Sequence, residues 1–121
     1  MSADLISFPI MDYAIIADLQ EVMPAEFPDL VKILLCTLPL QLTDIYAAVA
    51  QDDADALYRT AHKLKSGTGS IGALQLSELA RRLEAMGRSG NLADVIPLLE
   101  QTRITAEHTR ASFQSLLEVD A

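Results

Sequence analysis

The sequence predicts an all-α protein, folded as an antiparallel up-down four-helix bundle with a short extra helix at its N-terminus. Three observations support this fold class. Apolar residues recur at steps of three and four along five segments, which is the period of an amphipathic helix. No segment has the alternation of apolar and polar residues that is typical of a half-buried strand. The aromatic share of 5% is low, which favours aliphatic helix packing over a β-sandwich.

The first part of the chain is predicted to be an arm followed by a short helix. Residues 1–11 show no sustained period and are predicted to form a flexible N-terminal arm, while residues 12–121 are predicted to form one domain. Asp12 is suited to cap a helix from about residue 13 to residue 23, because its carboxylate can accept from the free N–H groups of the first turn. Pro24 is expected to end this helix.

The second predicted helix is long and contains two prolines. It extends to about Ala50, and Pro28 lies in its first turn, where the missing N–H of a proline does no harm. Pro39 lies off the apolar stripe, so we expect a kinked but continuous helix, with a break at Pro39 as the alternative. The stripe follows steps of four and three through Phe27, Val31, Leu34, Leu38, Leu42, Ile45 and Val49.

Three further helices, separated by short turns, complete the predicted bundle. Asp52 or Asp53 can cap a third helix, which extends to about Ile71 with Gly72 as its C-cap. The last helix is predicted from about residue 93 to residue 117. The helix between them carries an apolar stripe of Leu76, Leu79, Leu83 and Met86.

Size and composition place the chain among globular proteins. Its 121 residues suffice for one domain, and the hydrophobic and charged shares are 50% and 21%. The most apolar run, residues 33–38, is far shorter than the roughly 20 residues of a membrane span. The N-terminus has no basic residue before its apolar patch, unlike a secretory signal, and the single Cys36 cannot form an internal disulfide. We therefore expect a cytoplasmic protein without membrane contact.

The charge of the chain is acidic overall but locally basic. A net charge of -8 argues against a nucleic-acid-binding protein. Residues 59–88 contain six basic and two acidic side chains, a net charge of +4, so the rest of the chain carries -12. These charges form either an ordinary solvated helix surface or a basic surface near His62, including Arg59 and Lys63, that suits an anionic group or an acidic partner.

Several catalytic motifs are missing from the sequence. It contains no GxxxxGK[ST] phosphate loop, no HExxH or paired CxxC zinc motif, and no Glu-x-x-His pair of a two-metal bundle. The glycine-rich run GTGSIG does not follow a strand, whereas the glycine-rich turn of a dinucleotide site does, so we do not expect such a site. We therefore expect neither a cofactor nor a metal bound by this chain.

One face of the third helix combines a histidine with a cation and very small residues. Lys65, Ser66 and Gly69 lie three, four and seven residues after His62, so all four share one helical face. Gly67 and Gly69 each weaken a helix by about 1 kcal/mol relative to alanine. An exposed helical face with so few side chains allows another molecule to approach closely. The buried stripe of the same helix is predicted to be Leu57, Ala61, Leu64, Thr68 and Ile71.

The imidazole of His62 is suited to nucleophilic chemistry. Imidazole has an ordinary pKa of about 6.5 and is largely neutral at cytoplasmic pH, and cations at Arg59, Lys63 and Lys65 favour that neutral form. A neutral imidazole nitrogen is a nucleophile, and nearby cations can stabilise the negative charge of a phosphoryl group. His108, in the last helix, is expected to face water instead.

The stretch AHKLKSGTGSIGALQLSELARRLE resembles the active helix pair of the histidine-containing phosphotransfer (HPt) domains of bacterial multistep phosphorelays. Those domains typically read A-H-x-L-K-G, then small residues, an apolar residue and glycine, and a later Leu-Glu. In place of the glycine after the lysine this chain has Ser66, which is also small. The matching residues are Ala61, His62, Leu64, Lys65, Ile71, Gly72, Ala73, Leu83 and Glu84.

The resemblance implies a phosphocarrier. His62 would accept a phosphoryl group on its distal ring nitrogen from a receiver-domain aspartate and pass it to another, and Lys65 would help to hold the phosphoryl oxygens. Ser66, Gly67 and Gly69 would let the receiver backbone come close. The partners would be response-regulator receiver domains or a hybrid sensor histidine kinase, and the receiver would supply Mg²⁺. The chain is expected to be a monomer.

Two other interpretations remain at this point. One is a non-catalytic adaptor bundle that docks receivers without accepting phosphate. The other is the phospho-accepting domain of a chemotaxis-type histidine kinase. Autophosphorylation from ATP is not expected, because His62 lacks the H-E-x-x-[TN]-P continuation of a kinase dimerisation helix.

Overall fold

The computed structural model describes residues 8–120, and within this range it contains five α-helices and no strand. The all-α prediction is therefore confirmed for this part of the chain, and the helix ends differ from the predicted ones by at most three residues. Residues 1–7 of the predicted arm lie outside the described residues. The helices are α1 (Tyr13–Val22), α2 (Phe27–Ala50), α3 (Ala54–Ser70), α4 (Leu74–Ser89) and α5 (Val95–Asp120).

The predicted aspartate caps begin α1 and α3. Asp12 Oδ1 accepts from the N–H groups of Ala14 and Ile15 at 3.1 and 3.3 Å. Asp53 Oδ1 accepts from the N–H of Ala56 at 3.0 Å. Each carboxylate satisfies donors that the first turn of a helix otherwise leaves without partners.

The junction after α3 depends on Gly72, which has a left-handed φ of +85°. The N–H of Asp12 donates to the carbonyl of Gly72 at 2.7 Å, so the start of α1 is fixed to the end of α3. A Cβ on Gly72 would lie 3.0 Å from the Asp12 carbonyl oxygen. Both the backbone angle and the close approach therefore favour glycine here.

The last residues before α1 lie against the start of α4. The N–H of Gln75 donates to the carbonyl of Pro9 at 3.1 Å, and the Gln75 side chain donates to the carbonyl of Phe8 at 2.6 Å. Met11 is buried. Residues 8–11 are thus attached to the helical body.

Helix α2 continues through Pro39, as expected, and Pro28 lies in its first turn. It is also long and apolar enough, by length and composition, to cross a membrane, which the short run of residues 33–38 alone is not. A core helix of a soluble protein passes the same test. Part of the high hydropathy comes from exposed side chains, among them Ile33 and Leu40. The inward face is buried and consists of Phe27, Val31, Leu34, Leu38, Ile45 and Ala48.

The core consists of two apolar clusters inside a ring of helices in which α2 contacts α3 and α5, and α4 contacts α3 and α5. Because α1 contributes Ile16 to the second cluster, it covers that end of the core. The first cluster includes Leu38, Ile45, Leu57, Ala61, Leu64, Leu76, Ala80 and Leu83. The second includes Met11, Ile16, Phe27, Val31, Leu34, Ile71 and Phe113.

Candidate functional site

The candidate site lies where α3 packs along α4. The stripe predicted for α3 is buried, including Ala61 and Leu64 on either side of His62 in sequence. His62 lies off this stripe, and 54% of its side chain is exposed. The packing of α3 thus directs its apolar face inward and leaves the imidazole accessible at the surface.

A buried carboxylate on α4 joins His62 to Lys65. Only 5% of the Glu84 side chain is exposed. Its Oε1 accepts from Lys65 Nζ at 2.6 Å, and its Oε2 lies 2.7 Å from His62 Nδ1. The pKa of Glu84 is below its ordinary value of 4.5, first because of the hydrogen bond from Lys65 and then because of that from His62. Glu84 is therefore a carboxylate anion at neutral pH.

This contact determines which ring nitrogen of His62 can react. An ionised carboxylate only accepts hydrogen bonds, so Nδ1 must carry the hydrogen. In the neutral ring Nε2 then keeps its lone pair and can act as a nucleophile. The group in contact with the ring is thus an anion, whereas the sequence drew attention to the surrounding cations.

Together with His62 and Glu84, Arg88 and Tyr58 form a closed ring of four contacting side chains. Arg88 Nη2 lies 3.6 Å from Glu84 Oε2, and the Arg88 guanidinium lies over the Tyr58 ring, 5.1 Å from its centroid. The Tyr58 and His62 ring centroids are 6.3 Å apart. Each helix contributes a pair of residues four positions apart, which lie on one face.

Gly87 permits the close contact of the two helices beside this ring. A Cβ at this position would lie 2.6 Å from the backbone nitrogen of Tyr58 and 2.8 Å from the carbonyl oxygen of Ala54. Both distances are shorter than real Cβ contacts, and both partners are backbone atoms that cannot rotate away. The approach of α4 to the first turns of α3 therefore requires glycine.

The predicted small residues lie in two different environments. Ser66 and Gly67 are exposed, and a Cβ on Gly67 would meet no atom within 4 Å. Gly69 is half-buried, and a Cβ there would lie 3.2 Å from Ser77 Oγ on α4. Gly67 thus faces open space, whereas Gly69 also takes part in packing between α3 and α4.

The cations of residues 59–88 are largely paired with acidic side chains. Five of the six cations in residues 59–88 lie within salt-bridge distance of a carboxylate. Arg59 pairs with Asp55 one turn earlier, and Arg81 and Arg82 share Glu78. Lys63 is exposed on the helix that carries His62. Among residues 8–120, no group of three or more His, Cys, Asp or Glu residues could hold a metal ion.

Sequence reasoning did not assign roles to Glu84, Arg88, Tyr58 or Gly87. Glu84 was visible only as part of the Leu-Glu match. The partners of a buried carboxylate lie on another helix, and no periodicity reveals them. Spacing offers a partial signal, because Arg88 and Tyr58 lie one turn from Glu84 and His62 respectively.

An all-α body with a half-exposed histidine, fixed by a buried carboxylate beside a lysine, defines a helical histidine phosphotransfer protein. The comparison with family models supports this class, because the Hpt domain model matches residues 29–116. The chain belongs to the Hpt domain family, as the resemblance in its sequence indicated. It has a histidine phosphotransfer role in two-component phosphorelays.

Solved structures agree with the family assignment. The chain is similar to histidine-containing phosphotransfer protein B (HptB) from Pseudomonas aeruginosa PAO1, with 33% identity, a TM-score of 0.88, and coverage of 91% of this chain and 96% of that one. Its fold also matches the HPT domain of the Hpt sensor hybrid histidine kinase from Shewanella, with 17% identity, a TM-score of 0.75, and coverage of 90% and 94%.

The histidine-containing phosphotransfer domain of ArcB from Escherichia coli has the same fold, with 15% identity, a TM-score of 0.58, and coverage of 93% of this chain and 96% of that one. No curated protein sequence matches the chain significantly. The likeness to the Shewanella and Escherichia coli domains supports the fold alone.

Proposed function

We propose that His62 accepts a phosphoryl group on Nε2 from a receiver-domain aspartate and passes it to the aspartate of another receiver. The observation that carries this proposal is the 2.7 Å contact between His62 Nδ1 and the buried carboxylate of Glu84. It holds the ring in one tautomer and leaves Nε2 unprotonated on a half-exposed side chain.

The transfer needs one bond to form and one to break. The Nε2 lone pair attacks phosphorus, the P–O bond to the receiver aspartate breaks, and the aspartate leaves as a carboxylate. The Nδ1 hydrogen stays in place, so the ring becomes positively charged, and Glu84 stabilises that charge through the existing hydrogen bond. Return transfer to a receiver reverses these changes.

Lys65 is proposed to hold the phosphoryl oxygens. It lies one turn after His62 on the same helix, and a third of its side chain is exposed. A lysine ammonium on a flexible stem can turn from Glu84 toward a phosphoryl group bound to the neighbouring ring. Its charge offsets the negative charge of the group in transfer.

The docking surface is proposed to include Ser66 and Gly67, with Gly69 below them and Arg59 and Lys63 at the edge. Gly67 supports this placement, because it weakens α3 by about 1 kcal/mol without relieving any internal contact. It borders a groove of about 170 Å³ between α2 and α3, which is also lined by the exposed Ile33. A receiver backbone approaching Gly67 would meet apolar surface beside it.

Several finer statements belong to the same proposal. Helices α2 to α5 would form an antiparallel up-down four-helix bundle with α1 as the extra helix, which the ring of helix contacts supports. The protein would act as a cytoplasmic monomer that binds neither nucleic acid nor membrane. Its partners would be response-regulator receiver domains or hybrid sensor histidine kinases, and the receiver would provide the Mg²⁺ for transfer.

A labelling assay tests this function. The purified protein is incubated with a phosphorylated receiver domain and Mg²⁺, and the label is tested for the acid lability of phosphohistidine. We expect label on the wild-type protein and none on His62→Gln, with His108→Gln as the matched control. Undiminished label on His62→Gln would refute the assignment. Receiver binding without any label on the wild-type protein would favour the adaptor interpretation.

A further inference from the structure

We infer that Arg88 is a positioning residue that replaces Lys65 as the cation on Glu84 when His62 is phosphorylated. This inference rests on the proposed function and adds a second arrangement of the same side chains. In the unphosphorylated arrangement Lys65 donates a hydrogen bond to Glu84 Oε1. In the phosphorylated arrangement Lys65 contacts the phosphoryl oxygens, and Arg88 donates a hydrogen bond to Glu84 Oε2.

The exchange follows from the burial of Glu84. A carboxylate that is only 5% exposed is strongly destabilised if it loses its cation partner, because little water can replace that partner. Lys65 cannot bind both Glu84 and a phosphoryl group with undiminished strength. The phosphoryl group on His62 adds a charge of about -1.5 to -2 close to Glu84, which increases the need for a compensating cation.

Arg88 is placed to meet this need. Its Nη2 lies 3.6 Å from Glu84 Oε2, which is beyond a normal hydrogen bond but within an ion pair. A movement of about 0.7 Å would bring it to the distance of a charge-assisted hydrogen bond. Because 67% of the Arg88 side chain is exposed, no buried packing has to be broken for this movement.

Tyr58 explains why Arg88 moves toward Glu84 rather than away. The guanidinium lies 5.1 Å from the centroid of the Tyr58 ring, where a cation–π interaction holds its plane. Gly87 keeps this part of α4 against the backbone of Tyr58. Arg88 is therefore held beside Glu84 in the unphosphorylated protein, and no bond beyond those of the transfer itself needs to form or break.

The test measures how phosphate distributes at equilibrium between a receiver domain and this protein. We expect Arg88→Ala to shift the distribution about fivefold toward the receiver, which is the upper range for one exposed ion pair. Arg88→Lys, which keeps the positive charge, should restore most of the wild-type distribution. Arg81→Ala is the matched control, because Arg81 is an exposed arginine on α4 whose partner is Glu78, and it should leave the distribution unchanged.

A second measurement separates exchange from a purely structural role. The ¹⁵N-coupled signal of the His62 Nδ1 hydrogen should be the same in wild type and Arg88→Ala before phosphorylation, and should differ after it. In a Lys65→Ala background, where Arg88 is the remaining cation near Glu84, Arg88→Ala should lower the melting temperature more than it does in the wild type.

Two results would overturn the inference. One is an equilibrium distribution in Arg88→Ala equal to that of the wild type. The other is a difference in the Nδ1 hydrogen signal between wild type and Arg88→Ala that is already present in full before phosphorylation. Arg88 would then support Glu84 at all times. Either result leaves the phosphoacceptor assignment intact as long as His62→Gln remains unlabelled, so failure of the two proposals can be distinguished.

Discussion

Replacing Glu84 by glutamine separates the charge at this position from its hydrogen bond. The amide oxygen of glutamine can still accept from His62 Nδ1, and the side-chain volume is nearly unchanged. What is lost is the negative charge that, in the proposed transfer, stabilises the imidazolium formed when Nε2 attacks phosphorus. The variant therefore tests whether the carboxylate acts on the transfer itself or only holds the ring.

The size of the effect follows from the contacts of Glu84. A hydrogen bond to a charged group contributes about 1.5–3 kcal/mol, and a neutral one about 0.5–1.5 kcal/mol, so the difference for the His62 bond is about 1–1.5 kcal/mol. If that difference is realised in the transition state, kcat/KM for transfer falls about 5- to 12-fold. The free energy of unfolding should change by less than about 1 kcal/mol, because the variant no longer buries a charge and water reaches both His62 and Lys65.

Rapid-quench measurement of transfer from a phosphorylated receiver gives kcat/KM, and urea unfolding gives the stability change. Glu100→Gln is a suitable control, because Glu100 is an exposed carboxylate on α5 paired with Arg103. An unchanged kcat/KM in Glu84→Gln would refute the electrostatic role. A loss of several kcal/mol of stability would show instead that the carboxylate mainly holds α3 and α4 together.

The remaining predictions concern two glycines and one acidic side chain. Gly87→Ala should destabilise the protein by about 1 kcal/mol in urea unfolding, because overpacking against the Tyr58 backbone outweighs the gain in helix propensity; a stabilised variant would contradict the close helix contact. Gly67→Ala, the matched change on α3, should stabilise the protein by up to about 1 kcal/mol and yet slow transfer from a receiver; an unchanged rate would remove Gly67 from the docking surface. The hydrogen bonds from Arg81 and Arg82 hold the pKa of Glu78 at about 2 against an ordinary 4.5. Because this pKa is lowered, the stabilisation is present above pH 4.5 and is lost as the pH falls toward 2. It should amount to about 1 kcal/mol, since Arg81 is largely exposed to water. Melting temperatures of wild type and Glu78→Gln should therefore converge over this range, and a constant difference would contradict the assigned cause.

The helices could be predicted from the sequence because their signals are local. The caps at Asp12 and Asp53 and the proline at position 28 act within one turn, and the apolar stripes need only the helical period. For the same reason the exposure of His62 followed from its position beside the stripe. The prediction that α2 continues through Pro39 succeeded because Pro39 lies outside the buried face.

The chemistry of the site was less accessible, because it depends on contacts between helices. Glu84 is 22 residues from His62, and no spacing rule connects them. Gly69 was assigned to docking alone, since only the folded chain brings Ser77 beside it. The pairing of the cations had one local signal in the sequence, because Asp55 lies one turn before Arg59 and pairs with it.

The close packing of α3 and α4 at Gly87 has a consequence for the evolution of such a protein. Every side chain of the ring around Glu84 comes from residues 58–88, a single helical hairpin. Recombination of that one segment would transfer all four side chains of the ring at once, whereas the groove beside Gly67 is lined in part by Ile33 of α2. On the proposed docking surface, substitutions in α2 would therefore alter contacts with a receiver without changing any side chain of the ring around Glu84.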